Sequence, residues 1–171
     1  MSSWTRLFTL SWAIVFFAGC AGYKLGPSTG VPAGARSVQV NPFQNQTLEP
    51  RLSEPVTMAL RKQIQRDGTY KLETSGTADV LIMGILTDYK RAAISYQPGD
   101  IITVRDYRLT VTAKVTARER GTGKLLFEKN VSGQTLLRAA IDIPSAERQA
   151  ISSIADDLAR KAVSLLVDGD W

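Results

Sequence analysis

Residues 107–118 run Tyr-Arg-Leu-Thr-Val-Thr-Ala-Lys-Val-Thr-Ala-Arg, an unbroken alternation of apolar and polar side chains. A period of two over this length predicts a β-strand with one face on a core and the other in water. Gly-Thr-Gly at 121–123 supplies a turn, and apolar side chains recur at odd positions over 125–131. The sequence therefore predicts an antiparallel hairpin, and this hairpin decides the fold class.

Two more strands are expected before the hairpin. Residues 37–41 alternate in polarity, whereas a nearly continuous apolar run over 80–86 is typical of a strand in the middle of a sheet. That run extends toward a Gln-Pro-Gly-Asp turn at 97–100. The segments left over are predicted as a loop at 41–47 and a short extended piece at 70–72.

Two helices complete the pattern. One apolar stripe recurs every four residues and stops at Asp67-Gly68, at positions Leu52, Val56, Leu60 and Ile64. A second amphipathic helix is expected over about 145–166. The order β-α-β-β-β-α predicts an α+β domain in which a four-stranded, mostly antiparallel sheet carries both amphipathic helices on one face.

The only cysteine, Cys20, closes an apolar run that follows a single basic residue, Arg6. A run too short to span a bilayer, ended by small residues, indicates a cleaved signal peptide. It resembles a bacterial lipoprotein signal, in which the cysteine is lipidated; an ordinary cleaved signal beside an incidental thiol is the open alternative. The expected organisation is a signal peptide at 1–19, the acylated cysteine and a flexible tether at 20–36, a single domain at 37–167 and a tail at 168–171.

Composition narrows the classes of function. The formal net charge of +5 is mildly basic and favours an anionic partner, but no basic block or aromatic motif points to nucleic acid. The chain has no histidine, which removes the commonest general base and a frequent transition-metal ligand. We therefore expect a binding protein rather than an enzyme, with no metal site, no catalytic residues and no cofactor beyond a covalent lipid on Cys20.

Four segments of the chain form a recognisable series: Gly22-Tyr23-Lys24-Leu25 after the cysteine, the stretch from Val38 to Pro50, Ala78-Asp79-Val80-Leu81, and the hairpin from Tyr107 to Leu126. In this order they resemble the lipopolysaccharide-assembly lipoprotein family, LptE. The similarity covers nearly the whole mature chain and rests on order and spacing rather than on one motif.

The resemblance implies a function that composition does not show. Members of this family sit as a plug inside a large outer-membrane β-barrel, LptD, help that barrel to fold, and assist delivery of lipopolysaccharide to the cell surface. The implied partners are therefore an LptD-like barrel, lipopolysaccharide and, through the lipid anchor, the outer membrane. The implied location is the periplasmic side of the outer membrane and the inside of the barrel.

Lipopolysaccharide carries phosphates, so exposed basic side chains are the expected contacts. Arg108, Lys114 and Arg118 project at even spacing from one strand face, and Lys90 and Arg91 are the further candidates. The alternative is that these are solvated strand residues that keep an edge from aggregating.

Two rival functions stay open at this point. The segment 38–45 also looks like the first strand of periplasmic lipoproteins that activate a peptidoglycan synthase, although a tether of about 16 residues spans only about 20–25 Å. A periplasmic hydrolase would need a carboxylate pair or a serine and a lysine, and the carboxylates near predicted strand ends are Asp88, Asp100 and Asp106.

Overall fold

The alternating stretch 107–118 lies within the longest strand of the protein. In the computed structural model, residues 34–139 and 143–168 are described. The predicted signal peptide, Cys20, nearly all of the tether and most of the tail lie outside these residues. The elements, in chain order, are β1 (Arg36–Val40), β2 (Gln44–Asn45), α1 (Ser53–Asp67), β3 (Tyr70–Leu72), β4 (Val80–Gln97), β5 (Asp100–Glu119), β6 (Leu125–Arg138) and α2 (Ile143–Asp168).

The predicted fold class is confirmed: the described residues form an α+β unit with two helices on one sheet. The sheet itself differs from the prediction. Its order is β3-β1-β4-β5-β6 with β2 beside β4, so two very short strands join the four expected ones. It is mixed, because β1 lies parallel to β3 and β4, and only the pairs β4–β5 and β5–β6 are antiparallel. The reason is the α1 connection, which returns the chain so that the next strands run in the direction of β1.

Both helices cover the same face of the sheet and close one hydrophobic core. The alternate side chains of β5 that face the helices are fully buried: Leu109, Val111, Ala113, Val115 and Ala117. The apolar stripe predicted for α1 is buried as well, at Leu52, Val56, Leu60 and Ile64. The helix ends where the sequence indicates, at Gly68, which adopts a left-handed φ of 74°.

A glycine lets α2 lie directly on β6. A Cβ added at Gly133 would lie 2.3 Å from the carbonyl oxygen of Ile154. Any other side chain at this position would push the helix away from the strand. The close approach brings the polar side of α2 to the outer edge of the sheet.

The edge strand β6 is blocked by two side chains of that helix. The backbone N–H of Gln134 donates to Asp157 Oδ2 at 3.0 Å, and Lys161 Nζ donates to the backbone carbonyl of Ser132 at 2.9 Å. Lys161 also pairs with Asp157 at 2.8 Å. Backbone groups of an edge strand that are already bonded do not pair with another chain, so this part of the edge is protected against strand addition.

We expect acid to weaken this protection. Burial raises the pKa of the Asp157 carboxyl, but hydrogen bonds from Lys161 and from the Gln134 amide outweigh it and hold the pKa below the ordinary 3.8. A carboxyl with a depressed folded pKa stabilises fully above about pH 4 and loses its contribution as the pH falls through the folded pKa. In urea titrations between about pH 5 and about pH 2, the free energy of unfolding should therefore fall more steeply for the parent chain than for Asp157→Asn. If the free energy of unfolding fell equally with pH in both chains, Asp157 would not have the stabilising contacts described.

Candidate functional site

The even-numbered side chains of β5 form a polar stripe on the face of the sheet that the helices leave open, the helix-free face. The stripe consists of Arg108, Thr110, Thr112, Lys114, Thr116 and Arg118, all exposed or half-buried. Its neighbours on β4 and β6 are fixed by register: Lys114, for example, lies between Ile85 and Asn130. The predicted strand with one wet face is confirmed, and it brings three candidate cations onto one surface.

A cleft of about 240 Å³ opens on this face where the segment 41–44 runs beside β4. Its polar lining comes from β5, β6 and the segment 41–44: Lys114, Thr116, Arg118, Glu128, Asn41 and Gln44. The segment is held in place by β2, which pairs parallel to β4 at Gln44 opposite Ile85. The prediction that 41–47 is only a loop is therefore wrong, because residues 44–45 join the sheet.

Phe43 fastens the same segment to the core. Its ring is buried against Gly84, and its backbone N–H donates to Thr57 Oγ1 at 3.0 Å. Ser53 Oγ donates to the Phe43 carbonyl, and Thr57 Oγ1 in turn donates to the Ser53 carbonyl at 2.7 Å. The first turn of α1 thus positions one wall of the cleft.

Charge in the cleft is partly compensated. Lys114 Nζ lies 2.7 Å from Glu128 Oε1, and Thr116 Oγ1 donates to the other carboxylate oxygen at 3.3 Å. The hydrogen bond from Lys114 is the main cause that holds the pKa of Glu128 below its usual range, and Arg118 adds to the effect. Among the described residues Arg118 has no ion pair of its own, so the cleft retains a net positive charge.

Arg108 is the second uncompensated cation of the stripe. It is exposed, lies between Ala92 and Leu136 in the sheet, and has no ion pair within the described residues. Two free guanidinium groups therefore flank Lys114, one toward each end of β5. A planar guanidinium with open donors is suited to bidentate contact with phosphate.

A bulge in β4 separates the two other candidates. The register between β4 and β5 shifts at Leu86/Asp88, which reverses the facing of the residues that follow. Lys90 stays on the helix-free face and pairs with Asp88 at 2.9 Å. Arg91 instead points to the helix side, 2.8 Å from Glu147 Oε1 and 5.4 Å from the centre of the Tyr107 ring. The structure groups Lys90 with the stripe and Arg91 with the helix face.

The three carboxylates considered for a hydrolase have separate partners, and that of Asp88 is Lys90. Asp100 accepts hydrogen bonds from Thr103 and from the backbone of its own turn, and Asp106 accepts them from Ser95, Arg105 and Arg138; both pKa values are lowered by these contacts. A general acid requires a raised pKa, so neither environment suits that role. In the described ranges no group of three or more His, Cys, Asp or Glu side chains is placed to hold a metal ion.

Sequence reasoning missed Glu128, Asn41 and Gln44. The register of the 107–131 hairpin could have identified Glu128, because a turn at 121–123 places it beside Thr116. No sequence signal indicates that 41–44 returns to the sheet.

Of the helices at 53–67 and 143–168, neither is long and apolar enough to cross a membrane.

A family model described as "LptE: Lipopolysaccharide-assembly" matches residues 35–166 of the chain. The match covers the whole sheet and nearly all of α2, including the stripe and the cleft. No curated protein sequence matches the chain significantly.

Several solved structures share the fold. A minor lipoprotein from Acinetobacter baumannii superposes with a TM-score of 0.54 at 12% identity, over 78% of this chain and 93% of its own. A hypothetical protein from Chlamydia trachomatis gives 0.56 at 9% identity, over 77% and 96%. A putative lipoprotein from Caulobacter crescentus gives 0.53 at 12% identity, over 74% and 88%. At these identities the similarity establishes the fold alone.

Proposed function

We propose a function from the fact that this chain belongs to the LptE family of lipopolysaccharide-assembly proteins. In this proposal it is a lipid-anchored protein of the outer membrane that binds lipopolysaccharide. It also acts as the plug and the folding partner of an LptD-like barrel. The family match spans 35–166, which confirms the resemblance found in the sequence. The single observation that supports lipid binding most directly is the stripe on the helix-free face, where Arg108 and Arg118 have no ion pair among the described residues.

Lipopolysaccharide phosphates fit the chemistry of this stripe. Two guanidinium groups with open donors flank the ammonium group of Lys114, and threonine hydroxyls lie between them. Such groups bind phosphate and sugar hydroxyls without any change in covalent chemistry. Members of this family carry no cofactor, and binding of this kind requires none.

The same face suits a place inside a barrel. The lumen of a large outer-membrane barrel is polar and wet, and a plug within it must present a polar surface. The threonines and basic side chains of the stripe are of that kind, and the bonded backbone groups at 132–134 hinder pairing of that part of β6 with barrel strands. The alternative of a peptidoglycan synthase activator rests on the segment 38–45 alone, whereas the family match covers the whole sheet.

A charge-matched pair of triple variants tests lipid binding. Arg108→Gln, Lys114→Gln and Arg118→Gln together should weaken the affinity for purified lipopolysaccharide about tenfold or more, which is about 1.4 kcal/mol. The control removes two arginines and one lysine elsewhere, at Arg51, Lys62 and Arg66, which are exposed and have no ion pair in the described parts of the chain. It should change the affinity less than about twofold. If both triple variants lost the same affinity, the effect would come from net charge and not from the stripe.

A third variant should raise the affinity for lipopolysaccharide, which misfolding would not do. Glu128→Gln removes the carboxylate that pairs with Lys114, so the cleft gains a full positive charge and the affinity should rise. Titration calorimetry of all three variants measures the effects on one scale. Weaker binding by Glu128→Gln would contradict a contact between Lys114 and the lipid phosphates.

A further inference from the structure

The β4–β5 hairpin reaches far beyond the rest of the sheet. β6 ends at Arg138 opposite Asp106, whereas the pairing of β4 with β5 continues to Gln97 opposite Asp100. At about 3.3 Å per residue, the overhang is about 20 Å long. A two-stranded ribbon with both faces in water is only marginally stable by itself, so a surface that covers it would stabilise it.

The end of this ribbon is an apolar cap. Ile101 and Ile102 are 88% and 84% exposed, with Ile94 and Tyr96 half exposed beside them. The only charged side chain between Arg91 and Arg105 is Asp100. Its carboxylate accepts hydrogen bonds from the backbone N–H groups of Ile102 and Thr103. The charge is thus bound within the turn while the isoleucines point outward. An exposed apolar group of this size marks a site of contact.

A group of basic side chains, the basic collar, follows the cap along the hairpin. It consists of Arg105, Arg108 and Arg138, and Asp106 is the carboxylate that lies among them in the described part of the chain. Arg105 lies 2.9 Å and Arg138 3.4 Å from that carboxylate; the Arg105 side chain is half exposed and that of Arg138 largely exposed. Arg108 has no ion pair in the described residues, so the collar has a net charge of about +2 at neutral pH.

We propose that the tip of this hairpin inserts into an anionic lipid layer, with the isoleucines among the upper acyl chains and the basic collar at the phosphates. Arg105 lies three positions after Ile102, which is about 10 Å along a strand. Apolar groups of interfacial proteins reach about 5–10 Å below the headgroups, so the isoleucines and Arg105 match the two levels of a lipid surface, with Arg138 and Arg108 farther from the tip. Basic side chains beside such a cap are attracted to anionic lipids.

This contact goes beyond the proposed function, because it requires neither lipopolysaccharide nor a barrel. The test uses the full chain on vesicles of phosphatidylcholine with about one third phosphatidylglycerol, and on vesicles of phosphatidylcholine alone. The three native tryptophans are changed to phenylalanine. One variant then carries Ile101→Trp at the tip. The control carries Leu125→Trp, an exposed site opposite Arg118 at the other end of β5.

Emission of the introduced tryptophan reports its surroundings. Ile101→Trp should shift to shorter wavelength and be quenched by lipids with brominated chains on the anionic vesicles, and the quenching should be largely lost on the neutral ones. Leu125→Trp should show neither change. Any anchor at Cys20 is common to both variants, so the difference between them belongs to the tip.

Three results would overturn the proposal. Equal quenching at both sites would mean that attachment to the vesicle brings the whole domain close to the lipid. Quenching that ignores lipid charge would exclude a role for the collar. A blue shift without lipid, together with dimers in solution, would show that the tip packs on a second copy of the chain.

Discussion

Gly84→Val should destabilise the domain by roughly 3–5 kcal/mol, the cost of losing a buried phenylalanine from a core. A Cβ at this position would lie 2.0 Å from the Phe43 ring, so the ring has to leave its site. Because typical domains are stable by about 5–15 kcal/mol, this is a large fraction of the total. Thermal unfolding followed by circular dichroism should show a midpoint lower by about 10 °C or more.

A matched glycine provides the control for this experiment. Gly121 has open space around the position of an added Cβ, so Gly121→Ala should leave the midpoint nearly unchanged. A second readout separates local from global damage: the segment 41–44 should lose its amide protection in Gly84→Val even where the rest of the sheet keeps it. Unchanged stability of Gly84→Val would mean that Phe43 does not occupy this site in solution.

The proposed lipid anchor predicts that Cys20→Ser releases the protein from the outer membrane. A diacylglycerol and an amide-linked chain contribute about 0.8 kcal/mol for each buried CH₂, which holds a protein on the bilayer almost permanently. Without the thiol no such lipid is attached. Fractionation should move the variant to the soluble periplasmic fraction, and mass spectrometry should show the lipid mass only on the parent chain.

A neighbouring substitution controls for damage to the N-terminal segment. Ser28→Ala leaves the thiol in place, so its lipid mass and its fractionation should match those of the parent. A parent chain without added lipid mass, or a Cys20→Ser variant that stays in the outer membrane, would contradict the assignment of Cys20.

Patterns with a regular period predicted most of the fold. The alternation over 107–118 identified β5 and its wet face, and the four-residue repeat of 52–64 identified the buried stripe of α1. The direction of β1 was not predictable in the same way, since polarity patterns are identical for parallel and antiparallel neighbours. The short strands β2 and β3 are too brief to show a period at all.

The candidate site could be predicted only where its residues belong to a regular strand. Residues on one regular strand, Arg108, Lys114 and Arg118, do share one face. Arg91 is a further candidate from the sequence, but a bulge at Thr87 turns it toward Glu147. Nothing in the local sequence indicates this bulge. The pairing of residues 44–45 with β4 accompanies a contact between Phe43 and Gly84, which are distant along the chain. Irregular features of this kind arise from tertiary packing rather than from local preference.

Co-purification from outer membranes tests the central claim most directly. The tagged full chain, extracted in mild detergent, should elute with a large β-barrel protein in a one-to-one complex that survives gel filtration, and with bound lipopolysaccharide. Elution of the acylated chain alone, from membranes that retain their barrels, would contradict its role as plug and partner in lipopolysaccharide assembly.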